Sequence, residues 1–409
     1  MTLGAIALRN VARNRRRSLL SGGVVMFGFV ALTLAGGFMS QSFEALREGT
    51  IRGGTGHLQL ADPGWFREGG GVETLEHGLA DAHRVASRLS VEPAVAQVLR
   101  RIDFYGLLTD GERTVPFAGH GLDPAAEART MDLPGLVIAG RWMVDRDAHE
   151  AVLGSGLAAA LAVGPGDVVT LLAVTTDGVL NAVDVEIAGV ARLPVRELDD
   201  RYLATSLGAA DRLLEARGEV SKLVVTLHDA SRVEQTGERL RLALAREGFV
   251  VEVRSWEELA VFYRQVRQLY LGMFGFLGLV LAAIVLLATA NSMLMTVAER
   301  TREIGTLRAL GTRSRRVARL FLAEGLLLGV LGCLAGASFS LALSWVLNRS
   351  GIMLPPPPGV AHPIPLHIDL VLTAYVGGAA TMLVTVLVAS WLPARRAARR
   401  SIVEALAHV

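Results

Sequence analysis

Four long stretches without a charged side chain constrain this chain more than any other feature. They cover residues 18–43, 268–298, 325–348 and 370–394. Each exceeds the roughly 20 residues with which a helix crosses about 30 Å of hydrocarbon. Because a backbone in lipid must satisfy its own hydrogen bonds, each stretch predicts a transmembrane helix. The third span is expected to start earlier and to cover 317–348. The sequence therefore predicts a membrane protein with four helical spans.

The charged side chains are distributed unevenly along the chain. Residues 41–268 carry 34 acidic and 24 basic side chains, a net charge of −10, and the remainder carries 17 basic and 5 acidic ones, a net charge of +12. The basic residues of the remainder gather at 9–17, 300–319 and 395–400. Basic flanks of spans face the cytoplasm, so both termini and the segment between spans two and three are expected there. Since this rule explains the clusters, no nucleic-acid partner is expected.

This topology assigns each remaining segment to one side of the membrane. The sequence predicts a cytoplasmic amphipathic helix (1–17), an extracytoplasmic domain (44–267), a cytoplasmic helix (299–316), an extracytoplasmic loop (349–369) and a cytoplasmic tail (395–409). The predicted location is the inner (cytoplasmic) membrane, with the large domain in the periplasm.

The segment 44–267 alternates predicted strands and helices, which is typical of an α+β domain. Asp110 and Gly111 form a strong hairpin signal between two such strands. Two subdomains are expected, with residues 115–218 or so inserted into the first. The fold class is therefore membrane α-helical, with an α+β extracytoplasmic domain of two subdomains between spans one and two. The single cysteine, Cys333, excludes an intrachain disulfide, so this domain must be stabilised by its hydrophobic core.

The segment between spans two and three reads ERTREIGTLRALGTRSRRVARLFLAEG over residues 299–325. Apolar residues alternate there with arginines at helical spacing. Gly311 is expected to end this helix, since glycine favours the position that follows a helix. The pattern predicts a short helix on the inner face of the membrane, followed by a turn into span three.

The pattern E-R-x-x-E-I-G-x-L-R-A-L-G in this segment resembles the permease family that includes FtsX, MacB and the lipoprotein-releasing subunits LolC and LolE. Other pieces resemble the family in the same order: ALRNVARNRRRSLL near the start, GHLQL, VLGSGLAAALAVGPGDVVTLL and SWEEL in the predicted outer domain, and PARRAARRSIVEAL at the end. The resemblance covers nearly the whole chain. The large two-part outer domain brings the layout nearest to LolC and LolE.

The resemblance implies a dimer of permeases bound to two cytoplasmic ATPase subunits, with the helix between spans two and three in a groove of the ATPase. The second permease is either another copy or a homologue. The residues that match the family's coupling helix are Glu299, Arg300, Glu303, Ile304, Leu307, Arg308 and Gly311. An apolar edge of Ile304 and Leu307 is expected to enter the groove, with the arginines meeting acidic rims.

A P-loop requires a Gly-Lys-Ser/Thr sequence. The only lysine, Lys222, follows Ser221 instead. The chain is therefore expected to be a non-catalytic subunit that binds no cofactor itself, with ATP and Mg²⁺ on the partner ATPase. The nine histidines show no ligand spacing, so no metal site is expected.

Glu324 is the only acidic residue that is expected within a span. An intramembrane carboxylate is a functional candidate by default. Because Glu324 lies near the cytoplasmic end, a structural or coupling role is expected rather than an ion site. Glycines in spans two and three predict close helix packing. They are Gly272, Gly275 and Gly278 in span two, and Gly325, Gly329, Gly332 and Gly336 in span three.

Two functions agree with these patterns. In the first, ATP hydrolysis moves the outer domain by mechanotransmission and so extracts or exports lipoprotein or another envelope substrate, with a possible periplasmic partner. Its apolar cargo would contact spans one and two, where Phe27, Phe29 and Phe274 are the candidate substrate-facing residues. In the alternative, the protein resembles FtsX more closely and regulates a cell-wall hydrolase without transport. A membrane-anchored binding module without an ATPase is a third reading.

Overall fold

The computed structural model describes residues 9–10, 13, 15–67, 75, 77–193, 195–354 and 364–399. Within this part of the chain, four helices are long and apolar enough to cross a membrane. They are span 1 (Arg15–Thr50), span 2 (Val261–Glu299), span 3 (Ser314–Arg349) and span 4 (Leu372–Arg399). Spans 1 to 3 each contain one of the uncharged stretches completely and extend beyond it. Span 4 begins two residues after the start of the fourth stretch and extends beyond its end. The prediction of four spans is confirmed. The proline run at 355–359 and the tail beyond 399 lie outside the described residues.

The chain divides into a helical unit (1–44, 266–354 and 365–409) and an α/β unit (45–265 and 355–364). In the helical unit, all four spans contribute to one apolar cluster. It contains Val25, Phe29, Val285, Cys333, Met382 and Val386. A second cluster joins the end of span 2, the start of span 3 and the end of span 4, and contains Val297, Ile304, Val317, Phe321, Ala394 and Ala397. The start of span 3 and the end of span 4 therefore lie at the same end of the bundle.

The glycines of span 3 lie at close contacts between helices. A Cβ atom at Gly332 would lie 2.9 Å from the Cβ atom of Val25 in span 1, and one at Gly325 would lie 2.2 Å from Oγ of Ser390 in span 4. Close packing is thus confirmed for span 3. In span 2, no atom lies within 4 Å of the equivalent positions at Gly272 and Gly275. These two glycines are exposed and make no close contact with the described residues of the chain, so close packing through span 2 stays a prediction.

The α/β unit is built around one ten-stranded mixed sheet. Its strands are β1 (Leu58–Ala61), β2 (Val95–Thr109), β3 (Thr114–Leu122), β4 (Val137–Gly140), β5 (Glu150–Gly154), β6 (Val168–Val174), β7 (Leu180–Ala191), β8 (Tyr202–Ser206), β9 (Lys222–Leu227) and β10 (Glu252–Ser255). They are ordered β10-β1-β9-β2-β3-β8-β5-β7-β4, and β6 pairs with β2 and β7. Gly111 at the β2–β3 turn has a φ of 94°, which suits glycine in a tight hairpin.

Apolar clusters cover both faces of this sheet. The larger contains Leu60, Phe104, Leu153, Leu213 and Val225, and the smaller contains Leu99, Met131, Val152, Tyr202 and Val224. The helices that pack on the sheet include Ala82–Leu89, Ser155–Leu161, Leu207–Leu214 and Val233–Arg246. The predicted α+β character is confirmed. Strand β2 belongs to the first predicted subdomain and β3 to the inserted one, and because the two strands pair, one sheet extends through both.

Candidate functional site

A short helix, Thr301–Ala309, lies between spans 2 and 3 and is called the connecting helix below. Its end has the predicted glycine cap. Gly311 has a φ of 88°, its N–H donates to the carbonyl of Arg308, and the N–H of Thr312 donates to the carbonyl of Leu307. These two bonds satisfy carbonyls that a helix end otherwise leaves without partners. The chain can therefore turn sharply into span 3.

The buried face of the connecting helix differs from the prediction. Ile304 is only 4% exposed and packs with Val317 and Phe321 of span 3 and with Ala397 of span 4. The expectation that Ile304 and Leu307 form one outward apolar edge is wrong. The physical reason is that burying the apolar side chain of Ile304 against the bundle removes it from water within the chain itself, which is more favourable than leaving it exposed. Ile304 therefore fixes the helix to the bundle.

The outward face of the connecting helix carries two leucines. Leu307 is 42% exposed and Leu310, just after the last helical residue, is 79% exposed. Arg308 is half-buried and has an interaction within the chain. The apolar surface available to a partner is therefore formed by Leu307 and Leu310.

Arg300 is the centre of an ion-pair network beneath this helix. Its guanidinium Nε donates to Glu303 at 2.9 Å, and its Nη1 donates to Glu324 at 3.0 Å. Burial lowers the pKa of Arg300, but the bond to Glu303 and the charge of Glu324 outweigh it and raise the pKa overall. Burial likewise raises the pKa of Glu303, whereas hydrogen bonds from Arg300 and Arg13 lower it, and the net shift is downward. Arg300 and Glu303 are thus both held in their charged forms.

Two further ion pairs involve Arg17 at the start of span 1 and Arg13 just before it. They join these residues to the end of span 2 and to the connecting helix. Arg17 donates two hydrogen bonds to Glu299, at 2.7 and 2.8 Å, and Arg13 donates one to Glu303 at 2.6 Å. Sequence reasoning gave Arg13 and Arg17 only a topological role and missed these contacts. A signal was present, since both the arginines and the glutamates are four residues apart, which suits two antiparallel helices.

Glu324 is buried in the bundle, as its position in span 3 predicts. It accepts hydrogen bonds from Arg300 and from the side chain of Asn10. A cavity of about 30 Å³ lies beside it, and its polar lining includes Ser21, Ser292 and Thr296. The carboxylate therefore has a cationic partner on the connecting-helix side, an arrangement consistent with a structural or coupling role.

The three phenylalanines proposed to face substrate differ in exposure. Phe27 is 64% exposed on span 1, whereas Phe29 is 2% exposed inside the four-span cluster. The prediction for Phe29 is wrong, since Gly336 of span 3 and Tyr375 of span 4 enclose its ring. Phe274 is half-buried in an aromatic row between spans 1 and 2, with its ring centroid 6.3 Å from that of Phe38 and 5.9 Å from that of Tyr270.

A second polar cluster lies in the α/β unit. Asp103 on β2 contacts Nδ1 of His120 at 2.8 Å and the ammonium group of Lys222. Nearby, Arg101 forms two hydrogen bonds of 2.7 Å with Glu127, and it also donates to the carbonyl of Gly54. No group of three His, Cys, Asp or Glu side chains among the described residues is arranged to hold a metal ion.

Comparisons with known proteins match two regions of the chain. Residues 18–243 match the MacB-like periplasmic core domain, and residues 275–402 match the FtsX-like permease C-terminal model. The chain is 33% identical over 214 residues to the pyoverdine export ATP-binding/permease protein PvdT of Pseudomonas fluorescens, a match that covers 51% of this chain. The match spans only 30% of PvdT.

Another relative matches over more of its own length. The lipoprotein-releasing system transmembrane protein LolC of Neisseria meningitidis is 25% identical over 325 residues, which cover 78% of this chain and 74% of LolC. Among solved structures, the periplasmic region of MacB from Actinobacillus actinomycetemcomitans matches 51% of this chain and 93% of that one, with 16% identity and a TM-score of 0.38.

Four spans with a large α/β unit between the first two define a membrane permease of the kind in which a globular domain interrupts the helical bundle. The periplasmic-core model alone matches more than half of the chain. The chain belongs to the MacB/FtsX-type family of ABC transporter permeases.

Proposed function

We propose that this chain is the non-catalytic permease subunit of an ATP-driven complex and that a cytoplasmic ATPase acts on the connecting helix. The proposal depends above all on one observation: the helix is fixed on one side by Ile304 and exposes Leu307 and Leu310 on the other. Both termini and the connecting helix then lie in the cytoplasm and the α/β unit lies in the periplasm. ATP and Mg²⁺ are bound by the ATPase.

The contacts beneath the connecting helix support a mechanical role. Ile304 and the Arg300–Glu324 pair attach it to span 3, and the Arg13–Glu303 pair attaches it to the segment before span 1. A force applied to the outward leucines is therefore passed to several helices together. Partly buried ion pairs with good geometry hold such contacts more firmly than exposed ones.

A double substitution on the outward face tests this proposal. Leu307→Asp with Leu310→Asp places charge where apolar contact with the ATPase is expected. Burying a leucine is worth about 1.5–3 kcal/mol, so affinity for the ATPase should fall about a hundredfold or more. The measurement is co-purification of the ATPase, with its permease-dependent stimulation, from membranes.

Ala309→Asp is the control, because it adds one exposed negative charge to the same turn, at a position two residues from Leu307 and therefore on another face of the helix. It should retain the ATPase. Normal co-purification and stimulation in the double variant would refute the docking surface.

The proposed cargo is a lipoprotein or another apolar envelope substrate, taken up beside spans 1 and 2. Relatives named for lipoprotein release and pyoverdine export support an envelope substrate. The exposed ring of Phe27 and the aromatic row around Phe274 offer an apolar surface on these spans. The outward glycines Gly272 and Gly275 leave room there for a second permease, either a copy or a homologue.

Site-specific crosslinking tests the cargo. A photo-crosslinking amino acid at Phe27 or Phe274 should capture lipidated protein in native membranes, and capture should increase several-fold when ATP hydrolysis is blocked. Phe339, an exposed aromatic on span 3, is the control position and should capture little. Equal capture at all three positions would refute the proposal that spans 1 and 2 bind a lipidated cargo. It would also be refuted if the only protein captured were a soluble hydrolase, crosslinked to the α/β unit.

A further inference from the structure

An open groove runs along the outer surface of spans 3 and 4. It is lined by Leu322 of span 3 and by Leu387, Val388 and Trp391 of span 4, and has a volume of about 390 Å³. Every lining side chain is apolar. The groove is separate from the connecting helix's outward leucines and from the aromatic row on spans 1 and 2, so the proposed function does not use it.

Two arginines lie at one end of this groove. Arg319 is one helical turn before Leu322, and Arg395 is one turn after Trp391. Because the start of span 3 and the end of span 4 pack together, both arginines are at the same end of the bundle. The guanidinium carbon of Arg395 lies 5.3 Å from the centre of the Trp391 ring, a cation–π contact that holds it beside the groove.

Within residues 9–399, as far as the structure describes them, no carboxylate pairs with either of these two arginines. The described carboxylates at this end of the bundle are Glu299, Glu303 and Glu324, and they are paired with Arg17, Arg13 and Arg300. Among the residues that the structure describes, Arg319 and Arg395 have no carboxylate partner, and both are exposed. The end of the groove is therefore suited to an anion.

We propose that this groove binds an anionic phospholipid. The acyl chain lies along Leu322, Leu387 and Val388, and the phosphate lies between Arg319 and Arg395. Basic pockets between spans bind acidic lipid headgroups, and arginine is well suited to phosphate. The apolar groove identifies the anion as part of a lipid, since a free phosphate would gain nothing from four apolar side chains.

Native mass spectrometry of the purified full chain tests this site, with phosphatidylglycerol and phosphatidylcholine as probes. The chain should retain phosphatidylglycerol in preference to phosphatidylcholine. Arg319→Gln with Arg395→Gln should weaken phosphatidylglycerol binding about thirtyfold, because each arginine near an anionic headgroup contributes about fivefold. Arg319→Lys with Arg395→Lys should restore much of the binding, which separates loss of charge from loss of fold.

Arg349→Gln is the matched control. Arg349 makes the same kind of contact at the opposite end of span 3, with its guanidinium carbon 4.2 Å from the centre of the Trp345 ring. This variant should bind lipid as the unaltered chain does. A general attraction of lipid to any exposed arginine beside a tryptophan would weaken binding equally in both variants and would overturn the proposal.

Val388→Trp tests the groove apart from the arginines. Filling the groove should reduce phosphatidylglycerol retention several-fold while both arginines remain. Retention equal to that of the unaltered chain, in this variant or in the double glutamine variant, would show that the lipid does not occupy the site. Equal retention of the two lipids by the unaltered chain would also contradict it.

Discussion

At the scale of single residues, Asp103 of the α/β unit is a carboxylate in contact with both Lys222 and His120. Burial raises its pKa, but the Lys222 ammonium and His120 lower it, and the net pKa is well below the usual range. A depressed carboxyl pKa stabilises the fold at pH values above the unfolded-state pKa, which is about 3.9. This stabilisation is lost as the pH falls below that value toward the folded-state pKa.

Asp103→Asn should destabilise the α/β unit strongly. It leaves Lys222, whose side chain is only 14% exposed, without its counter-charge, and removing one partner of a buried pair costs up to about 3–5 kcal/mol. The loss of stability is measured by thermal unfolding of the purified chain, with limited proteolysis as the probe of unfolding in the α/β unit. The exposed pair of Asp177 and Arg217 provides a control, and Asp177→Asn should cost at most about 1 kcal/mol. Equal losses in both variants would contradict a special role for Asp103.

At the scale of elements, spans 2 and 3 use glycine in different ways. The glycines of span 3 meet side chains of spans 1 and 4, whereas Gly272 and Gly275 of span 2 meet none within 4 Å. Glycine therefore allows close helix contacts inside the chain in span 3, whereas at these two positions of span 2 it lies on a surface that no other described helix of the chain covers. A second permease can approach the backbone of span 2 there, as in helix pairs that pack through small residues.

Gly332→Ala should destabilise the bundle, since its Cβ would lie 2.9 Å from a side chain of Val25 and 3.0 Å from a backbone oxygen. Overpacking of this kind costs about 1–3 kcal/mol. Thermal unfolding of the detergent-purified chain should show a lower midpoint. Gly275→Ala, with open space around it, is the control and should leave the midpoint unchanged. If both variants unfold at the same temperature, the close contact does not stabilise the bundle.

The sequence predicts the connecting helix and its glycine cap well, because helical spacing and the residue after a helix are local properties. It predicts wrongly which side of the helix faces the bundle. Helical periodicity places Ile304 and its neighbours around the axis, but only the surroundings decide which side is buried. The packing of Ile304 on Phe321 and Ala397 depends on helices that are close only in the folded chain.

At the scale of the whole molecule, hydropathy and charge predict the four spans because the membrane imposes those patterns on each segment separately. The order of the sheet has no such signal. Strand β1 pairs with β10, nearly 200 residues later, and β6 pairs with both β2 and β7. These pairings depend on tertiary contacts, as does the pair of Arg101 and Glu127. The general α+β class was therefore predictable, whereas the strand order was not.

The basic end of the bundle has one further property. Of the 41 basic residues in the chain, only Lys222 is a lysine, and it lies in the α/β unit. Every positively charged side chain around the connecting helix and the lipid groove is therefore arginine, which stays protonated at any pH that a cell tolerates. A collapsed proton gradient or an acidified compartment would leave these charges intact. The ionic strength of the medium, rather than its acidity, is what can weaken their contacts.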